Sequence, residues 1–134
     1  MAPITPYLFF DGNCRDAMNF YKDCLGGELH MQTVAETPAA EHVPPEARQK
    51  IMHAKLTSGE LELMGSDWMS ETAFSRSNSI SLAIRCTSDD QIKTLFASLS
   101  EGGEVVHPLA EQFWGATFGQ LVDRFGTEWM LNLT

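Results

Sequence analysis

Apolar residues crowd the start of the chain: Ile4, Tyr7, Leu8, Phe9 and Phe10 predict a first strand over residues 4–10, ended by the turn Asp11-Gly12-Asn13. Over residues 15–25 the period changes. Ala17, Met18, Phe20, Tyr21, Cys24 and Leu25 recur at helical spacing. Gly26-Gly27 stops that helix, because glycine takes the left-handed cap conformation without a Cβ penalty. Residues 28–35 read as a strand. Residues 36–49, with three prolines among glutamates, read as a mobile acidic loop. Residues 50–57 and 60–66 read as two strands joined at Ser58-Gly59.

A mostly polar stretch, 68–78, reads as a linker, and then the pattern starts again. Ile80, Leu82 and Ile84 alternate with small or polar residues, as in a half-buried strand. Ser88-Asp89-Asp90 supplies a helix N-cap, Ile92, Leu95, Phe96 and Leu99 follow at helical spacing, and Gly102-Gly103 ends the helix. Strands over about 104–109, 115–122 and 127–133 complete the chain, with the last hairpin turning at Asp123-Arg124-Phe125-Gly126. The letters repeat as well as the pattern. Ile4, Leu8 and Phe20 each meet an apolar residue 76 positions later, and Gly26-Gly27-Glu28 returns as Gly102-Gly103-Glu104 at the same offset. The expectation is an α+β fold of two tandem β-α-β-β-β modules in one domain over 1–134, module one 1–67 and module two 79–134.

Composition narrows the partners. Nine Lys and Arg against eighteen Asp and Glu leave a formal charge of −9, which disfavours nucleic acid and anionic membrane surfaces. No apolar run approaches the length of a membrane span. The opening Met-Ala-Pro-Ile-Thr-Pro has neither a basic segment nor a signal-peptide core, so a cytoplasmic location is expected. The cysteines, Cys14, Cys24 and Cys86, are odd in number and scattered, which reads as structural thiols. There is no His-x-x-x-His and no nucleophile elbow. Asp123, opening the last hairpin, is expected to bond turn amides.

The repeated module resembles the vicinal-oxygen-chelate superfamily, which includes glyoxalase I, bleomycin-resistance proteins and extradiol dioxygenases. Three stretches push the resemblance to its PhnB-like, 3-demethylubiquinone methyltransferase-like subgroup. These are Pro6-Tyr7-Leu8-Phe9-Phe10-Asp11-Gly12-Asn13 with Ala17-Met18-Asn19-Phe20-Tyr21, Ile51-Met52-His53-Ala54, and the tail Phe113-Trp114-Gly115-Ala116-Thr117-Phe118-Gly119 with Asp123-Arg124-Phe125-Gly126 and Trp129. The methyltransferase label has no support in the residues, since no glycine-rich nucleotide loop is present. The resemblance implies sheets curved into an open cup and, in metal-using members, four inward side chains around one divalent ion that acts as a Lewis acid. It also implies a homodimer, as do the open sheet edges.

Strand parity gives the cup face. With Leu8, Phe10, Leu61, Leu63, Ile80, Leu82, Ile84, Trp129, Leu131 and Leu133 packing on the helices, Thr5, Tyr7, Phe9, Glu60, Glu62, Met64, Ser79, Ser81, Ala83, Glu128, Met130 and Asn132 face the cup. The positions nearest the family's ligand sites are then Thr5, Glu62, Ser81 and Met130, of which only Glu62 is an ordinary ligand for a hard or borderline cation. The expectation is therefore no metal and no cofactor. The protein would bind a small aromatic or amphipathic metabolite or drug, with Tyr7, Trp114 and Phe118 walling the pocket and His53 and Glu62, a possible hydrogen-bonded pair, as its polar contacts. A site of Glu62, Glu128 and His53 stays open, and with it a divalent-metal-dependent lyase, isomerase or dioxygenase.

Overall fold

Each half of the chain lays one helix on one face of a four-stranded sheet. The computed structural model describes residues 2–70 and 72–134, and the chain divides into two compact units, Met1–Phe74 and Ser75–Thr134, at a boundary inside the polar stretch 68–78. The first unit runs β1 (Tyr7–Phe10), α1 (Cys14–Leu25), β2 (Glu28–Thr33), β3 (Ile51–Ser58) and β4 (Leu61–Asp67). The second runs β5 (Leu82–Arg85), α2 (Asp89–Ser100), β6 (Glu104–Glu111), β7 (Thr117–Val122) and β8 (Glu128–Leu133). The strand orders are β1-β4-β3-β2 and β5-β8-β7-β6; the β1–β4 and β5–β8 pairs are parallel and the rest antiparallel. This is the α+β fold of two β-α-β-β-β modules. Among the described residues no helix is long and apolar enough to cross a membrane.

The repeat extends to hydrogen-bond register. Tyr7 lies opposite Met64 in the first unit, and Ala83 lies opposite Met130 in the second. These partners are 76 and 66 residues on from their counterparts, so the first module is ten residues longer. The extra chain falls between β2 and β3, where the proline-rich stretch forms short 3-10 turns at Val34–Glu36, Pro38–His42 and Pro45–Ala47 and not an unstructured loop. Proline opens the second and third of these turns, a first-turn position where its missing N–H costs nothing. Thr37 accepts from Ala39 N, and Arg48 donates to the Ala40 carbonyl across the stretch.

Burial follows the alternation. In the first unit Phe10, Met18, Tyr21, Leu56 and Leu63 are fully buried between α1 and the sheet, and in the second Ile92, Leu99, Leu121 and Leu131 are buried beside Trp129. The second glycine of each Gly-Gly pair explains that part of the repeat. A Cβ on Gly27 would strike the Thr57 carbonyl and Ser58, and one on Gly103 would strike the Val122 carbonyl and the Asp123 backbone. Both positions therefore demand the absence of a side chain.

Two buried carboxylates tie the modules down. Asp67, 3% exposed, accepts from Cys14 N at 2.9 Å and from Ile51 N at 2.8 Å, joining the start of α1 to the start of β3. Asp123 accepts from Phe125 N, Thr127 N and Trp129 Nε1 at 2.8, 3.1 and 2.8 Å. It holds the β7–β8 turn and the largest core side chain together.

Candidate functional site

Alternation along β1 sends Leu8 and Phe10 toward α1 and leaves Tyr7 and Phe9 on the opposite, open face of the sheet, 39% and 44% exposed. His53 reaches the same face from β3, where it lies opposite Gln32 of β2. The rings form a continuous series. Tyr7 and His53 have centroids 5.9 Å apart, Tyr7 and Phe9 5.1 Å, Phe9 and Trp68 5.3 Å edge-on, and Trp68 and Phe74 6.2 Å. Trp68 is held by its own indole N–H, which donates to the Thr72 carbonyl at 2.7 Å. Offset and edge-on rings at these spacings attract one another, and they leave apolar edges and faces to solvent.

Polar groups border this surface. Tyr7 Oη lies 3.3 Å from His53 Nδ1. Two residues along β3 on the same face, Lys55 Nζ sits 3.7 Å from Glu62 Oε1, and both side chains are about two-fifths exposed. Glu62 thus takes Lys55 as its partner, and His53 takes Tyr7; the two expected to pair with each other do not. Lys55 and Phe74 were missed by sequence reasoning. Lys55 shares the parity of His53 and could have been found by it, whereas Phe74 lies in a stretch with no period. Parity placed Phe9 on the cup face, but its contact with Trp68 lies in the same stretch without a period.

The remaining expected residues belong to the second unit. Phe118 lies on the open face of its sheet, opposite Asn132 and Ala110. Trp114 stands in the β6–β7 connection, 56% exposed, with Phe113 edge-on at 4.9 Å. Tyr7, His53 and Glu62 therefore share one sheet face of the first unit, and Trp114 and Phe118 are carried by the other unit.

The register corrects the inherited ligand quartet. Glu62 pairs with Thr57 as Glu128 pairs with Val122, so the counterpart of Glu62 is Glu128, and that of Met130 is Met64. The methionines offer thioethers, and Glu62 is paired with Lys55. Ser81 Oγ is buried without a hydrogen-bond partner among the described residues, but one hydroxyl is no ligand set. Among the described residues no three His, Cys, Asp or Glu side chains lie together as a metal site needs. Neither buried thiol is activated. Burial, with the nearby Asp67 charge adding to it, pushes the Cys14 thiol up to about 12, and burial pushes the Cys86 thiol upward as well.

Comparison with known proteins agrees with this architecture. The family model described as 3-demethylubiquinone-9 3-methyltransferase matches residues 2–132. The chain is 32% identical over 140 residues to protein YjdN of Escherichia coli K12, covering 98% of this chain and 95% of that one. The crystal structure of protein PA1353 from Pseudomonas aeruginosa is 39% identical, with a TM-score of 0.89 over 99% of this chain and 98% of that one. A putative 3-demethylubiquinone-9 3-methyltransferase, PhnB protein, from Bacillus cereus is 26% identical, with a TM-score of 0.80 over 99% and 100% of the two chains. Glyoxalase and bleomycin-resistance proteins at 12–17% identity share the fold alone.

Proposed function

The chain belongs to the PhnB-like, 3-demethylubiquinone-9 3-methyltransferase-like family of the vicinal-oxygen-chelate superfamily, and on that premise we propose that it binds a small aromatic or amphipathic molecule without a resident metal. The observation that carries this reading is the ring series Tyr7, Phe9, His53, Trp68 and Phe74 on and beside the open face of the first sheet, with Tyr7 and Phe9 exposed and the other three half-buried. Side chains that large are normally buried, and an exposed apolar patch rimmed by polar groups marks a binding surface. Tyr7, His53 and the Lys55–Glu62 pair supply the few polar contacts that would orient a ligand. The donor set supports the metal-free part, because Met64 and Met130 offer only thioethers and Glu62 is already matched by Lys55.

The same reading makes the protein a cytoplasmic homodimer. Three free cysteines suit a reducing compartment, and each sheet has unpaired outer strands that a second copy could cover. Anilinonaphthalene sulfonate fluorescence tests the binding surface. Enhancement that falls several-fold on combined Phe9→Ala and Trp68→Ala substitution is expected, and unchanged enhancement would refute it. Elemental analysis of protein purified without chelators tests the metal. Near-equimolar zinc, nickel, manganese or iron, lost on Glu62→Ala, would overturn the metal-free reading.

A further inference from the structure

The polar end of the ring series has a property that the rings lack. Tyr7 Oη and His53 Nδ1 are 3.3 Å apart, close enough to share one proton. When Tyr7 donates to Nδ1, the imidazole carries its proton on Nε2, away from the tyrosine. When Nδ1 donates to the phenol, the phenolic O–H is free to point outward instead. Either neutral arrangement leaves one donor unused by the pair. When the imidazole is protonated, Nδ1–H donates to the phenol, and both Nε2–H and the phenolic O–H are left over, now beside a positive charge.

We propose that the Tyr7–His53 pair is an oxyanion grip, so that the molecule held on this face is an aromatic acid, its ring system on Phe9 and Trp68 and its carboxylate or phenolate at the pair. The proposal rests on the binding reading above and specifies its ligand. The surrounding charges favour it. On β3, Lys55 stands two residues from His53; on β4, Glu62 is held by Lys55, and Ser66 lies opposite Phe9. On β2, Gln32 is opposite His53, His30 is opposite Lys55, and Glu28 contacts His30 at 3.9 Å. In a chain of net charge −9, the nearest acid on this stretch of the face, Glu62, is already engaged by Lys55, and Glu28 lies beside His30 farther along β2. Among the described residues neither Tyr7 nor His53 has a carboxylate partner, so the grip is left for an anion from outside. Charge-assisted hydrogen bonds are roughly twice as strong as neutral ones, and histidine is the side chain that gains charge as pH falls from about 8 to about 5.

The test compares two probes of one shape, 2-naphthoate and its neutral amide, 2-naphthamide, by calorimetric titration at about pH 5.5 and about pH 8. An aromatic carboxylate stays ionised throughout that range. The expected result is a preference for the naphthoate of about tenfold or more at the lower pH, falling several-fold at the higher. Tyr7→Phe should cut the preference, and His53→Gln should remove its pH dependence. Thermal melts confirm that both surface variants fold. If both probes bind alike, or if the preference survives both substitutions, the grip is wrong while the binding surface stands. If neither probe binds, the grip falls together with the reading it rests on.

Discussion

Replacing Trp129 tests the assignment of sheet faces most sharply. Its side chain is 2% exposed, lies in β8 beside Leu82 and Leu121, and donates to Asp123 Oδ2 at 2.8 Å. Trp129→Ala removes the largest buried side chain of the second unit, a loss of about 3–5 kcal/mol from burial and cavity formation. It also removes a hydrogen bond to a buried carboxylate, which adds about 1–3 kcal/mol. A domain of ordinary stability holds only about 5–15 kcal/mol in all, so the variant should be on the edge of unfolding. Trp129→Phe separates the two parts. It keeps most of the ring and loses the hydrogen bond, and should cost about 1–3 kcal/mol. Trp114→Ala, at a half-exposed position outside any strand, should cost about 1 kcal/mol or less. Urea denaturation followed by far-UV circular dichroism measures all three, with constant slopes confirming that stability alone has changed. If Trp129→Ala costs no more than Trp114→Ala, Trp129 is not on the helix-facing side of its sheet, and the face assignment of the second sheet falls with it.

Asp67→Ala should destabilise by about 2–4 kcal/mol, because it strips partners from two buried backbone amides at once; the same urea titration reads it. Cys14 should make the protein alkali-sensitive. Its thiol titrates near 9.0 when unfolded and at about 12 when folded, so its contribution is complete below about pH 9 and declines by about 1.4 kcal/mol per pH unit as the pH rises toward 12. Cys14→Ala should flatten the stability profile in that window, and an unchanged slope would show that the thiol is not the cause. Gly12 and Gly27 have φ of +87° and +92°, but only Gly27 has backbone where a Cβ would stand. Gly12→Ala should cost about 1 kcal/mol, and Gly27→Ala several times more, by thermal melts of the pair. Light scattering at micromolar concentration should give twice the 14.9 kDa chain mass; a monomer would refute the dimer.

Much of this architecture was legible because its causes are local. The α1 stripe, the Gly-Gly stops and the Ser88 cap, which accepts from Gln91 N, each depend on residues within a few positions of one another. Alternation then assigned Tyr7, Phe9, Glu62 and Met130 to the open face without any knowledge of the partner strands. What stayed hidden depends on distant partners. Asn13 precedes α1 but makes no side-chain cap; the capping carboxylate is Asp67, 53 residues on, and nothing near Cys14 announces it. Glu62 and His53 were matched by chemistry, but register decided otherwise. The neighbour within reach of Glu62 was Lys55, and a two-residue difference in pairing keeps the same face and is invisible to periodicity. That Glu128 is the counterpart of Glu62 was hidden as well, since the modules differ in length between β2 and β3 and the offset of 76 does not carry through to the last strand.

That length difference has a kinetic side. In each unit the parallel pair is the most distant contact to form: Tyr7 must find Met64 across 57 residues, and Leu82 must find Trp129 across 47. Closure entropy grows only as the logarithm of loop length, so the longer module meets an additional barrier of ~0.2 kcal/mol. The two halves should therefore reach their closing step at nearly the same rate. A chain can lengthen one connection of such a duplicated fold and leave the order in which its halves assemble almost unchanged.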